Sequence, residues 1–220
     1  MDVINNRSIV HQLTVKDVFV SNAFLYIDQH TQHGFLFDPG AEAEKILHVI
    51  KSQGYHIEKI FITHGHFDHI GAVQKIRNEL NIPVYMHELG REYMQNARMN
   101  LSALCNRHIL VDDVHYVQSS ETFELLANSE FKIKMTHIPG HAMGHAMYYN
   151  VQDKVAFVGD TIFKDQIGTT QYEGGNEHDL KQSLKLILSL PDDVVLYTGH
   201  SDKTTVGDEK KRLATKGHRK

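Results

Sequence analysis

An α/β fold built on mixed sheets is what the sequence predicts, and three observations carry that prediction. Short runs rich in β-branched and aromatic residues alternate with stretches whose apolar residues recur at helical spacing. Residues 57–62 read as a largely apolar strand covered on both faces, and Ile70, Val73, Ile76 and Leu80 follow it at helical spacing. Strand, helix and strand in alternation put helices outside a sheet. The 220 residues are read as one domain, 1–220, long enough for a substantial core.

In chain order, residues 9–14, 18–27 and 34–37 read as strands of an antiparallel meander. Asp38-Pro39-Gly40 forces a turn, with the Asp38 carboxylate available to cap the next helix. That helix covers residues 42–53, and Gly54 stops it. Strand 57–62 leads through residues 63–69 into a helix from 70 to 80, which Pro83 ends before a strand at 84–86. Residues 88–98 read as a helix, while 101–110 have no period; substrate-facing residues are expected within 87–117, none of them singled out. Strands follow at 114–118, 121–126, 131–138, 147–149 and 155–158. After turn-rich residues 168–176, Leu180, Leu184, Ile187, Leu188 and Leu190 mark an amphipathic helix, and 194–197 is the last strand.

Composition excludes several classes. An apolar fraction of 41% and a charged fraction of 23% are ordinary for a globular protein without low-complexity bias. A net charge of −4 gives no general attraction to nucleic acid or to an anionic membrane. Lys210, Lys211, Arg212, Lys216, Arg219 and Lys220 make the C-terminus basic, which is read as a solvated, frayed end. The single Cys105 cannot form an intramolecular disulfide, no stretch approaches a membrane span, and no secretory signal opens the chain. A cytoplasmic protein is the expectation.

The organising stretch is Thr63-His64-Gly65-His66-Phe67-Asp68-His69, where four potential metal ligands fall within six residues. Imidazole with carboxylate suits zinc, iron or manganese. Because the chain holds 17 histidines, a chance cluster must be weighed against this. Distant support comes from Gly140-His141, Gly159-Asp160 and Gly199-His200, each a ligand-capable residue beside a glycine at the end of an apolar strand.

These motifs, T-H-x-H-x-D-H, then G-H, G-D and G-H, resemble those of the metallo-β-lactamase-fold hydrolases in full and in order. Pro139-Gly140-His141, residues 159–163 and Gly174-Gly175-Asn176 look closest to the small glyoxalase II-like subgroup. The resemblance implies a four-layer αβ/βα sandwich, two facing mixed sheets with outer helices. It also implies two divalent ions, zinc first with iron or manganese as alternatives. His64, His66 and His141 would hold one, Asp68, His69 and His200 the other, and Asp160 would bridge. Asp68 and Asp160 are accordingly the catalytic candidates. For Asp38 the resemblance adds a second reading, a group beside the metal site, and both readings stay open. His145 stands where the family usually has a small hydroxyl residue. Gly144 argues against a helix pairing it with His141, so His145 is expected to lie beside the ligands or to be structural.

The implied reaction is hydrolysis of a small-molecule thioester by a metal-bridging hydroxide, since ligated metal lowers the pKa of bound water to roughly 7. A thiolate needs little proton assistance to leave, its pKa being about 8.5. The alternatives are a mononuclear-iron persulfide dioxygenase using His64, His141 and Asp160, a lactonase or other ester hydrolase, and a non-catalytic metal module. Full-length glyoxalase II proteins carry a further glutathione-binding helical domain, for which this chain ends too soon after His200. Gly168-Thr169-Thr170 lacks the subgroup's frequent arginine, so a cation for an acidic substrate is expected to be missing, unless Arg91, Arg98 or Arg107 replaces it. The sequence gives no oligomeric state.

Overall fold

In the computed structural model, which describes residues 3–4 and 7–217, the first half of the chain builds a seven-stranded sheet in sequence order. β1 (Val3–Ile4), β2 (Ser8–Lys16), β3 (Val20–Asp28) and β4 (His33–Phe37) pair antiparallel, as the meander predicts. Parallel neighbours need crossover connections. Helix α1 (Ala43–Gln53) supplies the first and leads to β5 (His56–Phe61). α2 (Phe67–Ile70) and α3 (Val73–Leu80) lead to β6 (Val84–His87), and α4 (Arg91–Gln95) precedes β7 (Val114–Val117).

The second sheet is a mirror of this plan. β8 (Thr122–Glu124), β9 (Lys132–His137), β10 (Ala146–Asn150) and β11 (Val155–Gly159) run antiparallel. β12 (Ile162–Phe163) and β13 (Gln166–Ile167) form a separate hairpin. α5 (Glu177–Leu188) then crosses over, so that β14 (Val195–Thr198) joins β11 in parallel, and β15 (Thr204–Thr205) edges the sheet before α6 (Val206–Gly217). No helix among the described residues is long and apolar enough to cross a membrane.

Side-chain alternation turns these sheets into the four layers expected of an αβ/βα sandwich. Along β3, Ala23, Leu25 and Ile27 face the helices with Leu36 and Ile60 of the neighbouring strands, in one cluster with Ile46 and Ile50 of α1 and Val73 and Ile76 of α3. The intervening residues Phe24, Tyr26, Phe35, Phe37 and Phe61 face inward and meet Phe131, Tyr148, Phe157 and Tyr197 of the second sheet. Ala156, Val158 and Leu196 point the other way, onto Leu180, Leu184 and Ile187 of α5. Aromatic residues thus fill the gap of about 10 Å between sheets, and aliphatic residues join sheet to helix. Phe37 and Phe157 stack across the middle, centroids 4.0 Å apart.

Several expected elements change. The helix expected over 70–80 is two pieces joined at Gly71-Ala72, and the one expected over 88–98 shrinks to a 3-10 turn plus α4, because Asn96 turns extended. Strand 18–27 starts only at Val20, since Asp17 and Phe19 close the hairpin turn. Asp38 does not cap α1: Glu42 holds that position, in a left-handed conformation and without a side-chain cap. The basic C-terminus is no frayed end as far as Gly217, for Lys210 bonds the Leu190 carbonyl and Asp192, and Arg212 bonds the buried Glu209. Arg219 and Lys220 lie outside the described residues, as does the side chain of Lys216.

Removing the central stacked ring should be costly. Phe157→Ala is expected to lower unfolding free energy in urea by about 3–5 kcal/mol, whereas Leu126→Ala, at a side chain 90% exposed, should stay within about 0.5 kcal/mol.

Candidate metal centre

Strand direction gathers the ligand candidates. β9, β11 and β14 run in one sense, so their C-terminal ends share a rim of the second sheet, where residues 140–141, 159–160 and 199–200 emerge. The Ala146 amide donates to the Thr63 carbonyl at 2.8 Å, fastening the end of β5 to the same rim. Close packing here demands glycine: a Cβ on Gly199 would lie 2.0 Å from Asp160 Oδ1, and Gly159 turns at φ +49 against Thr63 and His145.

All seven candidate ligands converge. His66 Nδ1 lies 3.1 Å from His64 Nε2 and 3.0 Å from His141 Nε2. Three nitrogens around one tetrahedral ion would be roughly 3.3 Å apart for metal–nitrogen bonds near 2.0–2.1 Å. Asp160 Oδ2 is 3.9 Å from His64, 3.7 Å from His141 and 3.1 Å from His200, while Oδ1 is 3.3 Å from His69. His200 Nε2 also stands 3.2 Å from Asp68 Oδ2. Groups of potential ligand atoms within 4.8 Å of one another are His64, His66 and His141; His64, His69 and Asp160; and Asp68, His69 and His200. His69 Nε2 and Asp160 Oδ1 are buried, yet neither makes a well-formed hydrogen bond. Such orphaned atoms fit a cation shared between them.

Backbone and carboxylate partners aim the rings. His69 Nδ1 donates to Asp38 Oδ2 at 3.0 Å, and that carboxylate also accepts from the Thr63 amide at 2.7 Å and hydroxyl at 2.6 Å. Asp38 therefore serves the ligand loop, held at φ 46, and not the helix. His141 Nδ1 donates to the Thr169 carbonyl at 2.8 Å, and His200 Nδ1 to the Val20 carbonyl at 2.6 Å. Each bond leaves the opposite nitrogen free to face the cluster. His145 does not join the ligand groups: fully buried, it stacks behind His64 with centroids 4.7 Å apart.

The two halves of the site differ electrically. Burial, then neighbouring imidazoles, hold His64 well below the ordinary histidine value and bring His66 down to about 3; burial also lowers His141. These rings are neutral, with lone pairs to donate. At His69 and His200 burial acts the same way but is outweighed by carboxylates. Asp160 and Asp38 hold His69 well above its ordinary value, and hydrogen bonds to Asp160 and Asp68 push His200 up to about 10. Burial raises Asp160, yet His69 and His200 win and hold it well below the carboxylate range. This half attracts positive charge.

A cleft of about 410 Å³ opens over the cluster, walled by Phe19, Phe67, Leu101, Phe163 and Tyr172. These wall residues escaped the sequence reading. One signal was present: Val18, Phe19 and Val20 are apolar at a hairpin tip, and Phe19 remains 49% exposed while its ring packs 5.6 Å from that of Phe67. Lys164, a cation the sequence reading did not consider, also lines the cleft, with Asp202 3.7 Å away.

Residues 17–200 match the Metallo-beta-lactamase superfamily model. The chain is 32% identical to a probable metallo-hydrolase, YqgX, of Bacillus subtilis, covering 84% of this chain and 87% of that one. It is 28% identical to the hydroxyacylglutathione hydrolase GloC of Haemophilus influenzae, covering 88% and 91%. Among solved structures, the B3 metallo-beta-lactamase BLEG-1 superposes with a TM-score of 0.86 at 31% identity, covering 92% and 96%. The protein TTHA1623, in a di-iron-bound form, gives 0.79 at 30%, covering 92% and 98%. Sequence match, sandwich and converging His/Asp loops agree: the chain belongs to the metallo-β-lactamase superfamily.

Proposed function

We propose that the chain is a dinuclear metallo-hydrolase that cleaves thioesters of small molecules. The observation that carries the reading is the convergence of two ligand sets on Asp160 at the floor of the cleft. His64, His66 and His141 would hold one divalent ion and Asp68, His69 and His200 the other, with Asp160 contacting both. When bound, such an ion pair supplies hydroxide near neutral pH and polarises a carbonyl.

The chain's own residues do the rest. Phe19, Phe67 and Phe163 give the cleft an apolar wall against which the substrate's acyl chain would pack. Ser201 is no free nucleophile, because its hydroxyl is engaged with Thr198, the Lys164 amide and the Asp202 carbonyl. Cys105 is not among the cleft-lining residues. A thiolate leaves without a strong acid, which suits this site, and the likeness to a hydroxyacylglutathione hydrolase supports the same choice. A single-iron dioxygenase would use His64, His141 and Asp160, and related dioxygenases keep the remaining motif residues, so metal count and oxygen uptake separate the two readings. Zinc is the first expectation and iron or manganese the alternatives, since mixed imidazole and carboxylate ligation accepts all three.

Metal content tests the foundation. About two ions per chain are expected at pH 8 by elemental analysis after dialysis against supplied metal. An ion at the Asp68, His69 and His200 half must displace protons from two imidazoles of raised pKa, whereas His64, His66 and His141 are already neutral. Affinity at the Asp68, His69 and His200 half therefore falls as pH drops, and the content should decline to about one near pH 5–6. A stoichiometry independent of pH would contradict this division.

Asp160→Ala is expected to abolish activity and retention of both ions, while Asp68→Ala should release one. Equal metal content in the two variants would remove Asp160 from its bridging role.

For the reaction, acyl thioesters should be hydrolysed at a rate that rises with pH through about 7, with at most a weak preference for glutathione over other thiols. Thioesters, lactones, a β-lactam and a persulfide with oxygen uptake are to be assayed on one metal-analysed preparation. Faster turnover of a lactone or β-lactam would reassign the substrate, and oxygen uptake by protein holding a single iron would reassign the chemistry.

A further inference from the structure

Beside the metal cleft lies a second, larger groove of about 760 Å³, and the two share Leu101 and Tyr172 as a common wall. Its lining is mixed: Met99, Ala103 and Leu104 give it an apolar stretch, with Leu104 75% exposed, and Asn96 and Gln171 are polar. Arg98 supplies its positive charge and Glu173 its negative one.

The loop that forms this groove is held rigidly to the metal-binding turn. The Phe67 amide, inside the ligand motif, donates to the Asn100 carbonyl at 2.8 Å. Buried Asn100 in turn donates through Nδ2 to the carbonyls of Tyr93 and Ile109 at 2.9 and 2.7 Å, and its Oδ1 accepts from the Ser102 amide. Leu101 is thereby forced into the left-handed region at φ 69, a conformation a branched side chain rarely adopts. Strain of this kind persists only where surrounding bonds over-determine it, and it clusters at ligand-holding sites.

The arginines of this segment are not equivalent. Arg91 is spent on the face of Tyr116, 3.9 Å from the ring centroid, and Arg107 on Asp17 at 2.5 Å. Arg98 has no ion pair among the described residues, and its side chain is exposed along the groove. A guanidinium without an ion pair, in one groove with Met99, Ala103 and Leu104, is complementary to an alkyl chain ending in a carboxylate. Glu173 on the same groove disfavours that anion, so the two side chains should act with opposite sign.

We propose that this groove is a substrate subsite that receives the carboxylate-bearing tail of a thioester, with Arg98 as the residue that selects it. The proposal rests on the thioesterase reading. The tail belongs either to the acyl group or to the thiol, and both are built into the test.

The test is calorimetric titration of metal-loaded protein with four stable thioether analogues. Each carries a carboxylate or a primary amide at the far end of its acyl-side or thiol-side chain. On one of the two sides the carboxylate should bind about threefold to fivefold tighter than the amide, the scale of an exposed ion pair, and added salt should shrink that ratio. Arg98→Gln should bring the ratio to about one without moving the melting temperature, Arg98→Lys should keep part of it, and Glu173→Gln should increase it. No binding by any analogue, equal affinities, or a carboxylate preference indifferent to Arg98→Gln would overturn the subsite. Absence of hydrolysis of the matching thioesters, with an Arg98-dependent preference intact, would instead sink the thioesterase reading and leave the anion subsite standing.

Discussion

Five imidazoles and two carboxylates crowd at one rim of this molecule, and the structure is built around making that crowd tolerable. His66 Nδ1 lies within about 3.1 Å of both His64 Nε2 and His141 Nε2, so these ring nitrogens cannot all donate, and three lone pairs directed at one point repel. Asp160 is buried besides, and an ionised buried carboxylate persists only with compensating positive charge. Protons on His69 and His200 supply some of that charge, and a pair of divalent ions would supply more of it at a single stroke. Left uncompensated, such a cluster costs folding energy, which bound cations would offset.

Holding the cluster in place falls to groups that touch no ligand atom facing the site. The Asp38 carboxylate reaches both the Thr63 amide at the mouth of the ligand loop and the outer nitrogen of His69. Carbonyls of Thr169, in the loop after β13, and Val20, at the start of β3, orient His141 and His200, so the second ring depends on the β2–β3 hairpin of the opposite sheet. The site is therefore a property of how the two sheets face each other, and the stacked aromatic rings between them set that distance.

Much of this was legible in the sequence for a definite reason. A strand period of two and a helix period of 3.6 are imposed by burial, so β3, β4, β11 and α5 were readable from their apolar positions. Ligand residues beside glycine at strand ends were readable because metal chemistry tolerates few substitutes. What escaped depended on contacts distant along the chain. The role of Asp38 was undecided between cap and ligand support because Thr63 and His69, its partners, are 25 and 31 residues away. Helix α6 lacked an obvious apolar stripe: Val206 joins the core, and Glu209 bonds Thr204 and the Asp165 amide while Lys210 bonds the Leu190 carbonyl. Lys164 was invisible as a cleft cation because the β12–β13 hairpin that carries it is too short to leave a periodic signal.

The segment from 96 to 110 shows most clearly why aperiodic sequence need not mean loose structure. Its backbone groups are satisfied by short turn bonds, such as Ala103 to Ala97 and Arg107 to Ser102, and by side chains: Asn96 accepts from the amides of Arg98 and Met99, Asn100 bridges three backbone groups, and Ser102 accepts from the Ile109 amide. Bonds of this kind leave no hydrophobic period, because what they bury is polar and local. They can nonetheless fix a loop as firmly as a helix would, provided each buried donor finds a partner. Freed from presenting an apolar stripe to the core, the same residues can hold Leu101 in a conformation a helix would forbid and direct Arg98 outward. The lack of pattern that hid this wall of the cleft from sequence reading is thus a consequence of how it is made.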